Sequence, residues 1–183
     1  HWIDLDLFSH LDKEEIRKEL GFENKFSVVF VGRWIEKKGT KVLCEVASES
    51  PNINFIFIGS GLEESYLKKM SEENRNIKVI GFVKNELVYK YLNLADIFCI
   101  PSQYEEAFGR VVMEAVACGL PVVGSNKGGI PEALDSTVSV LVEPTKANLK
   151  KEIEDLYNNK EKYLKLKNNC RKYAEENFLE KNI

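Results

Sequence analysis

Six short apolar runs punctuate the chain, and the stretches between them are of helix length. The runs are Val28–Val31, Phe55–Ile58, Ile77–Ile80, Ile97–Ile100, Pro121–Val123 and Val138–Val142. Several are continuous rather than alternating, the pattern of strands covered on both faces. The stretches at 39–49, 62–73, 85–94 and 110–118 have helical character. This alternation predicts a parallel, doubly wound α/β sheet of about six strands. Ligands of such sheets bind outside the carboxyl ends of the strands, so the residues just after each run are the first candidates for a site. The region 147–178 is rich in Lys, Glu and Asn, with Leu149, Ile153, Leu156, Tyr157, Leu166, Cys170 and Tyr173 near helical spacing. It predicts one or two amphipathic helices packed on the domain. Its mixed charge favours a solvated outer face over a membrane-surface helix.

Composition removes several function classes. The 183 residues, 44% hydrophobic, suit one soluble globular domain or a little more. A net charge of −3 is too near neutral to predict a nucleic-acid partner. No apolar run is long enough to span a bilayer, and the first residues lack the basic-then-apolar order of a signal peptide. Cys44, Cys99, Cys118 and Cys170 are widely spaced and form no Cys-x-x-Cys pair. They read as reduced core cysteines of a cytosolic protein. With His1 and His10 the only histidines, neither a His-rich metal site nor a Ser-His-Asp triad is expected.

The richest candidate site follows the fourth run. Glu106 and Glu114 lie eight positions apart around Phe108-Gly109, and Val111, Val112, Met113, Ala115, Val116 and Ala117 read as a short buried helix stopped by Gly119 and Pro121. Glu114 is the only acid within it, and an acid in an apolar helix is costly unless paired or hydrogen-bonded. Helical side chains lean toward the N-terminus, so Glu114 can reach back to the helix mouth, where free N–H groups and the positive dipole end favour an anion. Taken singly, either acid reads as a capping or ion-paired residue rather than a ligand; the pair, the Phe-Gly step and the position favour a site.

After the first run, Arg33 and Lys38 put two cations between a strand end and a helix. A diphosphate needs such charge, Arg making forked contacts and Lys acting as a point charge; solvated surface cations are the alternative. Gly59-Ser60-Gly61 follows the second run and permits close backbone approach, though a tight turn explains it as well. Phe82 and Val83 follow the third run and, by themselves, read as core residues. Asp96 before the fourth run reads as structural. Gly128-Gly129-Ile130-Pro131-Glu132 reads as a turn leading into a short helix.

These motifs, in this order, resemble the group 1 (family four) retaining nucleotide-sugar glycosyltransferases of GT-B architecture. The segment from Glu106 through Ala115 matches that family's E-x7-E motif, written E-x-F-G-x-x-x-x-E-A. Gly32-Arg33 with Lys38-Gly39 matches G-R-x-x-x-x-K-G, Ala95-Asp96 with Pro101-Ser102 matches A-D-x-x-x-x-P-S, and Gly128–Glu132 matches G-G-x-P-E. Ile3-Asp4 with Phe8 is similar to the family's linker, which sets aside Asp4-Leu5-Asp6 as a metal-binding D-x-D; His1-Trp2 departs from the usual Asn-Gly there. The likeness runs from about residue 3 to 178.

The resemblance implies a linker at 1–12, a Rossmann-like donor-binding domain at 13–183, and an N-terminal acceptor domain that this chain lacks. It assigns Glu106 to the donor sugar, Glu114 to the ribose, and the backbone of Gly109, Arg110 and Val111, beside Phe108, to the phosphates. Arg33 and Lys38 would grip the diphosphate, with Phe82 and Val83 near the base and Gly59 at the edge of the donor site. No metal or other cofactor is expected, the substrate being a nucleoside-diphosphate sugar. The implied activity is hexosyl transfer to a hydroxyl, the fragment alone being inactive. Polysaccharide or lipopolysaccharide assembly in the bacterial cytoplasm is the implied setting, with peripheral contact of a full enzyme at the inner membrane face. A non-catalytic nucleotide-sugar-binding module and a nucleotide-sugar epimerase are the alternatives; retention of all four charged residues, and the Phe-Gly step, favour transfer.

Overall fold

A computed structural model describes residues 3–105 and 109–178. Six strands form one sheet: β1 Ser27–Arg33, β2 Asn54–Ser60, β3 Ile77–Gly81, β4 Ile97–Ile100, β5 Val122–Ser125 and β6 Ser139–Val142. They lie in the order β3-β2-β1-β4-β5-β6, and every described pairing is parallel. The predicted doubly wound, Rossmann-like sheet is therefore the one observed. Helices α1 Lys13–Leu20, α2 Thr40–Ser48, α3 Glu64–Glu73, α4 Asn85–Leu94, α5 Arg110–Ala117, α6 Ile130–Ala133, α7 Lys146–Asn158 and α8 Lys160–Asn177 cover it.

The continuous apolar runs follow from this architecture. Successive strand residues point to opposite faces, and both faces are buried. Val28, Phe30, Phe55, Phe57, Ile97 and Cys99 face a layer with Leu43 of α2, Leu67 of α3 and Leu149 of α7. Val29, Ile56, Ile58, Phe98 and Ile100 face the other, with Ile16 of α1, Leu92 of α4 and Val112 of α5. Helix α8 serves both, Leu166 in one layer and Cys170 and Ala174 in the other. All four cysteines are buried and unbridged, and burial pushes the Cys44, Cys118 and Cys170 thiols up to about 12.

The C-terminal region is two helices, divided where the Asn159 side chain accepts the Lys162 N–H at 3.0 Å. Helix α1 has no counterpart in the sequence reading. Its eight residues carry a single buried apolar side chain, Ile16, so no apolar stripe announces it. Two devices hold it. Asp12 caps its start by accepting the Glu15 N–H, and Gly21 ends it in the left-handed region. Ahead of it, Ile3, Leu5 and Phe8 are buried in the core, so residues 3–12 pack as part of the domain.

Asp96 ties these pieces at the amino-terminal end of the sheet. One carboxylate oxygen accepts from Arg17 Nη2 and from the Ser27 N–H, both at 2.8 Å. The other contacts the Lys13 ammonium and lies 3.4 Å from the Tyr163 hydroxyl. Burial and the Asp96 charge push the Tyr163 phenol upward, so it stays protonated and can donate. Arg17 in turn donates to the Leu94 carbonyl at 2.9 Å and to Asn24 Oδ1 at 2.7 Å. One carboxylate thus joins α1, β1, β4 and α8.

Removing it would leave Arg17, only 5% exposed, as an uncompensated buried cation. Asp96→Ala should lower unfolding free energy by about 3 to 5 kcal/mol, read from urea denaturation. A loss below about 1 kcal/mol, the level of an exposed pair, would contradict this role.

Candidate functional site

The sheet order reverses between β1 and β4, which makes the carboxyl ends of these strands the natural crevice. The strands also separate there. β1 pairs with β4 only at Val28 and Val29, opposite Ile97 and Phe98, yet β1 runs on to Arg33. On its other side it stays paired with β2 through Arg33, opposite Ser60.

The β1–α2 connection supplies the cations. Arg33 ends the strand with an exposed side chain and makes no ion pair with any described residue. Trp34 then turns inward, 1% exposed, and the chain passes through one 3₁₀ turn, Glu36–Lys38, before α2. Gly39 sits at φ 74°, and a Cβ on it would lie 2.1 Å from the Pro101 carbonyl oxygen. Only glycine lets the two loops approach this closely. The Gln103 N–H donates to the Lys37 carbonyl at 2.8 Å, and the Lys38 ammonium lies 5.6 Å from the centre of the Tyr104 ring. Lys38 is thereby held across the switch point, against the loop that leads to α5.

Helix α5 faces this loop from the other strand. Gly109 precedes its first residue, Arg110, and its first turn contains no acid. The first N–H groups of a helix have no partner within it, so this mouth favours an anion. Glu114 does lean back toward the N-terminus: its Oε1 accepts from Arg110 Nε, one turn earlier, at 2.9 Å. Arg110 is largely exposed while the Glu114 side chain is 12% exposed. Burial raises the Glu114 carboxyl above its ordinary value, and Arg110 opposes that rise only in part. Val111 is half-buried against the core. Glu106 and Phe108, the other expected members of this motif, lie outside the described residues.

The remaining expected positions fall at neighbouring strand ends. Phe82, just past β3, is 75% exposed, so it is not a core residue. Val83 beside it does pack against the core. Gly59, at φ 138° near the end of β2, would place a Cβ 1.9 Å from the Gly32 carbonyl oxygen. Packing against β1 therefore accounts for the glycine. Asp4 accepts from the N–H groups of Asp6 and Leu7, both at 3.0 Å, so its carboxylate shapes its own turn. Glu132 is exposed on α6, where Pro131 occupies the first turn. No grouping of three or more potential metal ligands occurs among the described residues.

Four residues at the site were not singled out from sequence. Tyr104 and Gln103 touch the cation loop from the far strand. Thr40 and Glu63 lie beneath it. Thr40 donates its hydroxyl to Glu63 Oε2, and the Lys41 ammonium lies 3.5 Å from Glu63 Oε1. The only sequence hint is position, directly after Gly39 and shortly after Gly61.

The parallel sheet, with a basic loop and the start of α5 at its switch point, defines a Rossmann-like, doubly wound α/β domain. Residues 12–176 match the model of the family described as glycosyl transferases group 1, and the chain belongs to that family. Spore coat protein SA of Bacillus subtilis (strain 168) is 34% identical over 182 residues, covering 91% of this chain and 48% of the relative. Anabaena Alr3699/HepE in complex with UDP superposes with a TM-score of 0.86 at 26% identity, over 97% of this chain and 52% of that one. The C-terminal domain of a group 1 family glycosyl transferase (LpcC) from Francisella tularensis shares the fold, with a TM-score of 0.82 at 18% identity, covering 97% and 99%. The chain thus spans about half the length of the first two.

The raised Glu114 carboxyl has a signed consequence. The unfolded chain loses this proton in the ordinary carboxylate range, whereas the folded state holds it to higher pH. Stability must fall as pH rises through that window and level off above it. Wild-type protein should therefore lose stability relative to Glu114→Gln between about pH 4 and neutrality, measured by denaturant titration. A difference that does not vary with pH would contradict the burial of this group.

Proposed function

We propose that this chain is the donor-binding half of a retaining glycosyltransferase, holding a nucleoside-diphosphate sugar at the β1/β4 switch point. The observation that carries the reading is the meeting of two features across that crevice: the Arg33–Lys38 loop and the acid-free mouth of α5 with Glu114 behind it. Family membership and the UDP bound to the Anabaena relative support it.

In this reading the diphosphate lies between Arg33 and Lys38 on one side and the N–H groups of Gly109, Arg110 and Val111 on the other. Glu114 accepts from the ribose hydroxyls, with Arg110 swinging outward. Phe82 offers an exposed ring to the base, Val83 and Gly59 border the pocket, and Glu106 beside Phe108 takes the sugar hydroxyls. Negative charge grows on the diphosphate as the glycosidic bond breaks, so preorganised cations and N–H donors there lower the barrier as well as bind. They would serve in place of a metal ion. Leaving-group phosphate could then help deprotonate the acceptor on the same face. Transfer itself is assigned to a protein that joins this half to an acceptor-binding half, because positioning the acceptor and excluding water require closure over the sugar.

The test is calorimetric titration of this chain with UDP, GDP and ADP and with their parent nucleosides. One diphosphate should bind clearly more tightly than its nucleoside, and binding should persist in excess chelator. Arg33→Ala should remove most of that difference. Glu114→Ala should weaken nucleoside and diphosphate together by about tenfold to a hundredfold, the scale of lost charge-assisted hydrogen bonds. If none of the three diphosphates outbinds its nucleoside, the donor-site reading fails.

A further inference from the structure

Glu63 is a buried acid, 6% exposed, at the residue just before α3. A short polar side chain such as Asp, Asn or Ser at this position would accept an N–H from the first turn of the helix it precedes. Glu63 makes no such bond. Its carboxylate turns instead to α2, accepting the hydroxyl of Thr40, the first residue of that helix, which is 0% exposed. Among the described residues its other oxygen has only the half-exposed Lys41 ammonium, at 3.5 Å, and no hydrogen bond. Burying a carboxylate so incompletely satisfied costs stability. Helix stability alone would be better served by an ordinary cap.

The second contact of the same residue accounts for its placement. The Glu63 backbone N–H donates to the Trp34 carbonyl at 3.0 Å, and the Trp34 N–H donates to the Ser60 carbonyl at 2.9 Å. Trp34 directly follows Arg33. Thr40 lies two residues after Lys38. One residue therefore moors both ends of the loop that carries the two cations, with its backbone at the Arg33 end and its carboxylate at the Lys38 end. The anion also sits beside the first residue of α2 and heads α3, where two positive dipole ends favour it.

We infer that Glu63, acting through Thr40 and Trp34, is a positioning residue that sets the separation of Arg33 and Lys38 for a diphosphate. This rests on the donor-site reading above. Glu63 itself is buried beneath the loop and touches no ligand in this arrangement. Its effect should appear only where the ligand carries a diphosphate, since the base and ribose are held from β3 and α5.

The experiment compares UDP with uridine, or GDP and ADP with their nucleosides, on wild type, Arg33→Ala, Thr40→Val and Thr40→Ser, with thermal melting followed in parallel. Thr40→Val keeps size but removes the hydroxyl. It should weaken diphosphate binding about tenfold, the worth of one charge-assisted hydrogen bond, and leave nucleoside binding in place. Thr40→Ser should restore the diphosphate. Because Thr40→Val also strands a buried carboxylate, the double variant Thr40→Val with Glu63→Leu is the control. Apolar replacement of both partners should recover the melting temperature without recovering the diphosphate preference. If Arg33→Ala abolishes that preference while Thr40→Val or the double variant retains it, Glu63 is a stability element and the inference is overturned alone. If wild type shows no preference in the first place, the donor-site reading fails and takes the inference with it.

Discussion

The structure depends on one carboxylate at the end of the sheet away from the candidate site. β1 and β4 pair over only two positions, which is too little to fix strands of different length against each other. Asp96 compensates. It stands just before β4 and accepts the Ser27 N–H that opens β1, so the two strands start in register whatever they do later. Arg17 and Lys13 neutralise it and draw α1 onto the same point. Pairs of this burial are expensive when broken and give a specific geometry when complete. Anchoring at the amino ends leaves the carboxyl ends free to part, and that parting is the crevice.

The crevice then needs loops that stay close without pairing as strands. Gly39 against the Pro101 carbonyl and the Gln103 N–H on Lys37 provide this. Trp34 fills the space beneath, fully buried, so that Arg33 and Ile35 on either side of it are fixed relative to the core. A basic loop in water would spread its cations apart. Here Lys37 and Lys38 both rest near the Tyr104 ring, at 5.8 and 5.6 Å, an arrangement that draws on cation–π attraction. The local charge density suits an anion with two phosphates better than one with none.

The strands were legible because both faces of a parallel sheet are buried, which writes each strand as an unbroken apolar run. Helices with a wide apolar stripe were legible for a similar reason. Helix α1 was not, since its main tertiary tie is a charged side chain, Arg17, whose partner Asp96 is far away in sequence. Phe82 could be read two ways from sequence, and only tertiary structure separates an exposed ring at a strand end from a core one. Arg33, Lys38 and Glu114 were visible as motif positions. Glu63 and Thr40 were not, because neither is informative until folding brings two strand ends together.

The two helix N-termini nearest the crevice differ in how strongly they would favour an anion. Helix α2 begins beside Arg33 and Lys38 and would otherwise attract phosphate as strongly as α5. Its mouth is already served by an internal anion, Glu63, which contacts its first residue. Helix α5 has no acid in its first turn, and its own acid sits one turn deeper, held by Arg110. On the donor-site proposal, a diphosphate would be repelled at the α2 mouth and favoured by the N–H groups at the start of α5. The cations of the β1 loop then act across the crevice rather than along their own helix. On the same proposal the phosphates would lie toward α5 and the base toward the end of β3, where the exposed Phe82 ring lies.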